Sequence, residues 1–476
     1  MRARRNQRWL EPFDPARVDL NYTEANAWQY SFFVPHDVHG LIEAHGGDEP
    51  FVSKLDALFD ADSRTTGRDQ PDITGLIGQY AHGNEPSHHM AWLYHYAGRP
   101  GRSAERVRRI LDELYAARPD GLAGNEDCGQ MSSWYVLAAM GIYPVCPCTD
   151  EYPLAAPLFE RVTLHLENGR RFRILATGAD AERPYVTGAR LNGRPLGRSF
   201  LRHGEILAGG TLVLDLAVEP SPDWGRSPEE RPGVAAGVPL VVPAPFARSA
   251  GDTFRDTMTV ELDCAEPGAA IFYTRNPELD RGRWTRYERP LSLEETTRLR
   301  FVAISGDRES PVVSASFHRI PHDWTVTLSA PPNPQYTAGG PQALVDGLRG
   351  DADWRTGGWQ GYQYTDFEAI VDLREVRTVR HVTAGFLQDV RSWIWLPVGV
   401  TVEVSSDGDT FQEVARIRHD LPGDRRGVFV RDLGATFDPV EARFVRVRAR
   451  SYGTIPDWHP GRGDGAFIFV DEIAIE

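Results

Sequence analysis

The sequence has no apolar run that could cross a membrane, and it has few cysteines. Nowhere do about 18 consecutive apolar residues occur, so no membrane span is predicted. The basic start at residues 1–5 is not followed by the apolar segment of a signal peptide, and no signal peptide is predicted in this chain. Four cysteines in 476 residues are too few for a disulfide scaffold.

Several catalytic motifs are also missing. There is no Gly-x-Ser-x-Gly nucleophile elbow, no phosphate-binding glycine loop and no His-Glu-x-x-His zinc motif. Cys146 and Cys148 lack the spacing and the second cysteine pair of a convincing zinc site. The net charge of -15 argues against nucleic acid as the main partner, because phosphate contacts need clustered Lys and Arg.

The composition is that of a folded protein with several domains. Hydrophobic residues make up 41% and charged residues 25%, which are globular values, and the length favours three or four domains. Aromatic residues reach 10%, and they suit either the cores of β-sandwiches or platforms on which sugars stack.

The first part of the chain, residues 1–145, has helical periodicity. Asp48–Asp60 carries an apolar stripe, and Ser103–Ala117 repeats it behind Ser103 as the predicted N-cap. Gln130–Met140 is apolar nearly all round, which is typical of a helix buried in a larger assembly. Long loops rich in Gly, Pro, Asn, Asp and His separate these helices.

From residue 146 onward the period changes to that of β-strands. Asn168-Gly169 and Asn192-Gly193 predict hairpin turns within residues 146–225, and residues 219–238 have a linker composition. Two further all-β blocks are predicted at residues 239–318 and 326–476, the last with a turn at Asp407-Gly408.

Three loops concentrate the residues that could perform chemistry, at 22–38, 78–89 and 121–135. They hold carboxylates, amides, histidines and tryptophans. Carboxylates in aromatic-lined loops fit glycoside hydrolysis, in which one acid protonates the leaving oxygen and another activates water. Amide and carboxylate oxygens also suit calcium. The His88-His89 pair suggests zinc as an alternative, but adjacent helical residues point about 100° apart, so packing or substrate hydrogen bonding is favoured.

The motifs in these loops resemble glycoside hydrolase family 92. The first reads Glu-Ala-Asn-Ala-Trp-Gln-Tyr (24–30), the second Gly-Asn-Glu-Pro-Ser-His-His (83–89) and the third Gly-Asn-Glu-Asp-Cys-Gly-Gln-Met-Ser (124–132). The resemblance runs from the first residues to about Trp224. It implies a β-sandwich packed on an (α/α)6 toroid, of which residues 1–145 would be the C-terminal part and residues 146–225 the β-rich end. It also implies a calcium-dependent exo-α-mannosidase that inverts configuration.

The resemblance assigns roles to individual residues. Glu24 matches the general acid and Asp127 the general base; the alternative for each is a helix cap. Asn125 stands where some members have Asp, so a second candidate base is not expected. Asn84 and Glu85 are the predicted calcium ligands. The remaining predicted substrate contacts in these loops are Trp28, His36, Asp37 and His88.

The two tail blocks resemble accessory modules. Residues 239–318 contain Pro-Gly-Ala-Ala-Ile-Phe-Tyr-Thr at 267–274 and resemble the small sandwich at the C-terminus of chitobiases and hexosaminidases, so a spacer role is expected. Residues 326–476 resemble a discoidin (factor 5/8 type C) domain, the fold of many carbohydrate-binding modules. The aromatic residues in its loops are candidate sugar contacts, and Trp359 is the predicted substrate-binding residue among them. The other candidates are Tyr362, Tyr364, Trp393, Trp395 and Trp458. Core packing is the alternative for each.

Two functions therefore remain open from the sequence. The chain is either a mannosidase catalytic segment with a glycan-binding module, or a binding protein that acts only through its discoidin-like domain. The resemblance implies mannose-containing glycans as partners and a secreted or cell-surface location. Because the opening residues resemble family sequence from inside the toroid, we expect an N-terminal truncation, weak turnover by the isolated chain, and a separate chain carrying the missing half as a candidate partner.

Overall fold

The computed structural model describes residues 1–147, 149–180, 182–233 and 241–476. Two compact units share the chain: one comprises Met1–Arg2 and Pro12–Pro239, the other Ala3–Glu11 and Leu240–Glu476. Cys148 and the end of the predicted linker, residues 234–238, lie outside the described residues. Within the described ranges, no helix is long and apolar enough to span a bilayer.

The first unit holds the helices. The α-helices are Ala27–Tyr30, Val38–Ala44, Asp48–Asp60, Pro100–Leu114, Gln130–Ala139 and His203–Leu207. The 3-10 helices are Glu85–Ser87, Met90–His95 and Pro228–Glu230. The helix predicted at Asp48–Asp60 is confirmed, because its apolar stripe packs into the core through Phe51, Leu55 and Phe59.

The N-cap predicted at Ser103 is wrong. The helix begins one turn earlier, at Pro100, whose fixed φ suits the first helical position. Ser103 is fully buried inside the helix, and its hydroxyl donates to the carbonyl of Ala91 at 2.8 Å. A hydroxyl that bonds to a distant segment cannot be distinguished from a cap by local sequence alone.

The strands of the first unit are short until the predicted change of period. Two-residue pairs join Arg17–Val18 to Thr66–Gly67 and Leu76–Ile77 to Tyr80–Ala81. A five-stranded sheet then follows in the order Arg194–Pro195, Tyr185–Leu191, Gly210–Ala217, Arg171–Leu175 and Arg161–His165. Glu151–Pro153 pairs separately with Phe200–Arg202. The predicted turn at Asn192-Gly193 is confirmed, with both residues at positive φ as a two-residue hairpin requires.

The second unit begins with a small hairpin from the start of the chain. Arg4–Arg5 pairs with Arg8–Trp9, and the turn residues Asn6 and Gln7 both have positive φ. Asn6 exchanges hydrogen bonds with Ser316, and Arg8 pairs with Asp252 at 2.9 Å. Residues 3–11 thus pack with residues 244–316, although their position in the sequence predicted that they belong with the helices.

Residues 246–319 of this unit are all β, as predicted. One sheet has the order Phe246–Arg248, Met258–Asp263 and Leu291–Leu293. The other has the order Thr253–Phe254, Val313–Arg319, Thr297–Ser305, Ala270–Thr274 and Thr285–Arg286, with Arg308–Glu309 beside Thr297–Ser305. Their inward side chains, among them Val260, Phe301 and Phe317, form one apolar core.

The last part of the chain is built of β-strands, as predicted, and its sheet has seven of them. The order is Gln360–Gln363, Phe467–Ile475, Phe367–Asp389, Val428–Arg450, Gly399–Ser405 and Gln412–Ile417, with Thr325–Leu328 also beside Phe367–Asp389. The two 23-residue strands shift register between Asp372 and Arg377, where Arg374 has a φ of 69° and the strand bends. The protein is therefore a mixed α and β molecule, and the boundaries of the four predicted domains stay predictions.

Candidate active site

The first loop presents Glu24 just ahead of a short helix. Asn26 caps that helix by accepting from the Trp28 amide, and the Gln29 side chain accepts from the Asn26 amide at 2.8 Å. Glu24 itself is exposed and has a φ of 49°. A bulky residue in the left-handed region is uncommon, and such strain concentrates at functional sites.

Buried amides hold the first loop against the second. Asn26 Nδ2 donates to Gln79 Oε1 at 2.8 Å, and Gln29 Nε2 donates to the Gln79 carbonyl at 2.9 Å. Asn84 Nδ2 donates to the backbone carbonyl of Glu24 at 2.9 Å. The backbone of the predicted general acid is therefore anchored by the loop that carries the predicted calcium ligands.

The third loop carries Asp127 in a strained backbone. Asp127, Cys128 and Gly129 have φ values of 48°, 59° and 91°, so three consecutive residues are left-handed. The helix Gln130–Ala139 begins directly afterwards. Gly129 supplies no side-chain cap, and Glu126 instead accepts from the amide and hydroxyl of Ser132. Asp127 is thus exposed at the helix entrance and does not serve as its cap, the alternative role considered above.

The loops of Glu85 and Asp127 are in direct contact. Thr74 Oγ1 donates to the Ala123 carbonyl at 2.8 Å, and a Cβ on Gly124 would lie 2.8 Å from the Cα of Gly83. Only glycines allow this approach.

The carboxyl of Glu85 has two acidic neighbours where these loops converge. Asp127 is close enough to interact with it, and the charge of Glu24 also acts on it. Burial is the largest cause that raises the pKa of Glu85, followed by the hydrogen bond to Asp127 and repulsion from both neighbours. Throughout the described chain, none of the three carboxyls has an Arg or Lys ion-pair partner.

The donor set at this point is rich in oxygen. The carboxyl of Glu85 and the amide oxygen of Asn84 are ligand types that calcium accepts, whereas the amide nitrogen of Asn84 is already engaged. Within the described residues, no three His, Cys, Asp or Glu side chains are arranged to hold a metal ion by themselves. A cation here would therefore also need amide, backbone, water or substrate oxygens.

The other predicted substrate contacts differ in their availability. Trp28 is half-buried, and the Lys54 ammonium lies 4.0 Å from the centroid of its ring. Asp37 caps the helix Val38–Ala44 by accepting from the Gly40 amide at 2.9 Å. His36 is exposed beside it. The substrate contacts predicted for Trp28, His36 and Asp37 stay predictions.

Two predicted contacts need correction. Both ring nitrogens of His88 are bonded inside the protein, one to the His82 carbonyl and one to Gln130, and the side chain is buried. Trp359 is 1% exposed, and its indole N–H donates to the Asp351 carbonyl at 2.9 Å. A buried ring presents no face to a sugar, so both side chains pack within the protein.

Sequence reasoning missed Gln79, His82 and Gln130 as individual site residues. Each lies inside or beside a recognised motif, and each supplies a hydrogen bond between segments that are separated in the chain. One signal in the sequence could have found them. An amide or imidazole that lies among buried apolar residues, such as Tyr80 and Trp134, needs a hydrogen-bond partner inside the protein.

Two family models match separate parts of the chain. Residues 1–218 match the model of the glycosyl hydrolase family 92 catalytic domain, and residues 325–463 match the F5/8 type C domain. The predicted resemblance to family 92 is confirmed.

Individual relatives match parts of the chain. An uncharacterized secreted glycosidase of Arthroderma benhamiae is 35% identical over 219 residues, which are 45% of this chain and 26% of that protein. A family 92 α-mannosidase of Bacteroides thetaiotaomicron in complex with mannoimidazole is 35% identical, with 49% of this chain and 32% of that one covered and a TM-score of 0.46. A family 32 carbohydrate-binding module of Clostridium perfringens in complex with GalNAc-β-1,3-galactose is 15% identical, with 32% and 94% covered and a TM-score of 0.22. The chain spans about a third or less of the length of the secreted glycosidase and of the α-mannosidase.

Proposed function

We propose that this chain carries the catalytic carboxylates of a calcium-dependent, inverting exo-α-mannosidase. The observation that supports this most strongly is the convergence of Glu24, Glu85 and Asp127 from three separate loops. The helices of the first unit are then part of an (α/α)6 toroid whose loops form the sugar pocket. The α-mannose substrate is proposed from what the relatives with known structures are named for.

The proposed reaction uses one carboxyl on each side of the sugar. The Glu24 carboxylic acid gives its proton to the glycosidic oxygen as the bond from C1 to that oxygen breaks. Water adds to C1 from the opposite face, and the Asp127 carboxylate accepts the proton that the water loses. An inverting enzyme needs the two carboxyls about 6.5–9.5 Å apart so that the water fits between them.

Calcium would be held by Asn84 and Glu85, together with oxygens from water and the substrate. When bound, it supplies a positive charge that attracts the hydroxyl oxygens of the sugar. The same charge would relieve the repulsion that Glu85 experiences from Asp127 and Glu24. The three carboxyls, which lack basic partners in the described chain, are thus chemically suited to a divalent cation.

The test is hydrolysis of an aryl α-mannoside, with the anomer of the first-formed product read by NMR. We expect β-mannose as the initial product, loss of activity in chelator, and recovery with calcium. Recovery with zinc alone, or release of α-mannose, would contradict the proposal. A matched assay on aryl β-mannosides and α-glucosides defines the substrate class.

A second proposed function, glycan binding by residues 325–463, is favoured by two strained aromatic residues. Tyr364 and Trp393 have φ values of 61° and 64°, and Tyr364 is 72% exposed. The loop of Trp458, which is 48% exposed, passes next to both: a Cβ on Gly461 would meet the Trp393 ring, and one on Gly465 would meet Tyr364. Exposed aromatic faces beside Arg462 and Asp464 suit stacking on a sugar and bonding to its hydroxyls.

This binding function is tested by calorimetric titration with mannose- and galactose-containing oligosaccharides. We expect Tyr364→Ala and Trp458→Ala each to weaken binding by about threefold to tenfold. Val376→Ala, at another exposed apolar side chain of the same unit, is the control and should not change the Kd. Unchanged binding in both aromatic variants would remove this cluster as the site.

A further inference from the structure

Two histidines form a buried pair behind the converging loops. His82 and His88 are 0% and 1% exposed, and their ring centroids are 4.8 Å apart. Trp134 packs edge-on to His82 at 4.5 Å between ring centroids. Neither imidazole reaches solvent, so neither is available to a substrate.

The hydrogen bonds of His82 determine which nitrogen carries its proton. The Tyr115 hydroxyl donates to the Met131 carbonyl at 3.0 Å, so its oxygen is free to accept. His82 Nε2 lies 2.7 Å from that oxygen and therefore donates to it. His82 Nδ1 then accepts from the Tyr80 hydroxyl at 2.7 Å. The imidazole is neutral, and both of its nitrogens are satisfied.

The same reasoning applies to His88. Its Nε2 lies 2.8 Å from the His82 carbonyl, which only accepts, so Nε2 carries the proton. Its Nδ1 accepts from Gln130 Nε2 at 3.2 Å, and its backbone carbonyl accepts from the Trp134 indole at 3.0 Å. Burial lowers the pKa of His82 to about 2 and that of His88 to about 4, so both stay neutral near pH 7.

This network joins the two segments that carry the candidate catalytic groups. At one end lies the loop 82–85, with Asn84 and Glu85. At the other lies the helix Gln130–Ala139, which begins three residues after Asp127 and receives no side-chain cap from Gly129. The bonds to Gln130, Met131 and Trp134 therefore hold the first turns of a helix whose entrance is the strained Asp127 loop.

We propose that His88, supported by His82, is a positioning residue that sets the placement of Asp127 relative to Glu85. This rests on the proposed function, in which both carboxyls act in one site. His88 touches neither substrate nor cation; it acts through Gln130. Positions of reacting groups matter at the level of 1 Å, where a misplacement lowers the rate by about 10²-fold.

Two substitutions at His88 separate positioning from mere packing. The side-chain amide of Asn is as far from the backbone as Nδ1 of His, so His88→Asn keeps an acceptor for Gln130. The side-chain amide of Gln is as far from the backbone as Nε2, so His88→Gln keeps only the bond to His82. We expect His88→Gln to lower kcat on an aryl α-mannoside by about 10²-fold with little change in KM, and His88→Asn to restore most of it. His95→Gln is the control, since His95 is equally buried and has no hydrogen-bond partner in the described residues.

A second readout needs no turnover. Cys128 is exposed and directly follows Asp127, so the rate at which a thiol reagent modifies it reports the state of this loop. We expect the rate at Cys128, followed by peptide mass spectrometry, to change in His88→Gln and to stay at the wild-type value in His88→Asn and His95→Gln. Should His88→Gln fail to fold, Gln130→Leu removes the same bond from its partly exposed end and should give the same change.

The outcomes are distinguishable. An inactive wild type would count against the proposed function, while the Cys128 rates would still decide on the positioning role. If His88→Gln behaves like His95→Gln in kcat and in the Cys128 rate, His88 only packs the core and the inference is overturned. Equal losses in His88→Asn and His88→Gln would overturn it as well.

Discussion

The loops of residues 12–147 and the strands of residues 323–476 differ in the side-chain contacts that link their neighbouring segments. In the loop region, neutral amides and imidazoles bond to distant backbone, as Gln29 does to Gln79 and His89 to Phe32. In the strand region, ion pairs link neighbouring strands, as in Arg443 with Asp372 and Arg446 with Glu403. Strands already satisfy their own backbone, whereas loops need side chains to do so.

The comparison explains where strained residues occur. In the loop region, the non-glycine residues Glu24, Asp127 and Cys128 are left-handed, and surrounding neutral hydrogen bonds hold their loops. In the strand region, Tyr364 and Trp393 are left-handed in segments that connect strands. In both regions, some of the left-handed residues are candidate ligand contacts, whereas Arg374 lies at a register shift within a strand.

The largest expected effect is a loss of catalysis in the loop region that leaves glycan binding by the strand region unchanged. Glu24→Gln and Asp127→Asn should each lower kcat by about 10²–10⁴-fold, because each removes one proton transfer. Glycan binding by the second region, measured by calorimetry, should not change. Glu126→Gln, which can still accept from Ser132, is the control. An equal loss of kcat in this control would contradict the assignment.

The next largest effect concerns Glu472, a partly buried carboxyl in the strand region. Burial, together with repulsion from Asp346, raises the pKa of Glu472 from 4.5 to about 8, while Arg349 opposes the shift. The folded protein therefore keeps this proton to a higher pH than the unfolded chain does. The stabilisation is complete below pH 4.5 and is lost as the pH rises through about 8.

Glu472→Gln should remove this pH dependence. One pKa unit corresponds to about 1.4 kcal/mol. We therefore expect the free energy of unfolding of the variant to rise by a few kcal/mol relative to that of wild type as the pH increases from acidic to alkaline. The measurement is urea unfolding of the second unit across that range, with the exposed Glu375→Gln as control. Parallel pH profiles for wild type and Glu472→Gln would contradict the prediction.

A smaller effect is expected from an ion pair between strands. The side chains of Glu403 and Arg446 are only 13% and 17% exposed. Glu403→Ala therefore removes the carboxylate that pairs with the largely buried guanidinium of Arg446. We expect the free energy of unfolding to fall by about 2 kcal/mol, less than for a fully buried pair. Glu413→Ala breaks the exposed pair with Arg416 and should have no measurable effect. Equal changes in the two variants would show that burial does not set the value of these pairs.

The smallest effect is a gain in stability in the loop region. Trp92 stacks on His95, whose two nitrogens have no hydrogen-bond partner in the described chain. His95→Leu removes these buried polar atoms and should stabilise the protein by about 1 kcal/mol in urea unfolding. His88→Leu is the matched opposite and should destabilise it, because Gln130 and the His82 carbonyl lose their partner. A loss of stability in His95→Leu would show that its nitrogens are satisfied by bound water.

Much of the fold followed from local patterns in the sequence. The helix Asp48–Asp60 and the turn at Asn192-Gly193 depend on periodicity and turn chemistry within a few residues, and both are confirmed. The change from helix to strand near residue 146 is of the same kind. The three loop motifs were recognisable as family 92 sequence, and the comparison bears this out.

The availability of side chains did not follow from such patterns. Ser103, His88 and Trp359 all carry groups that suit caps or sugar contacts, yet each is buried with an internal hydrogen bond. A residue is buried or exposed according to which distant segments pack on it, and one sequence does not display those segments. The same holds for residues 3–11, which pair with strands more than 230 residues away.

The sequence by itself determined which chemical groups this protein can use: carboxylates and amides in three loops, and aromatic residues in the discoidin-like block. Only the tertiary structure decided which of them meet. Glu24, Glu85 and Asp127 converge because Gly83 and Gly124 let two loops touch and because buried amides and histidines hold those loops. Such convergence depends on packing and hydrogen bonds between residues far apart in the chain, and these form only when the whole unit folds.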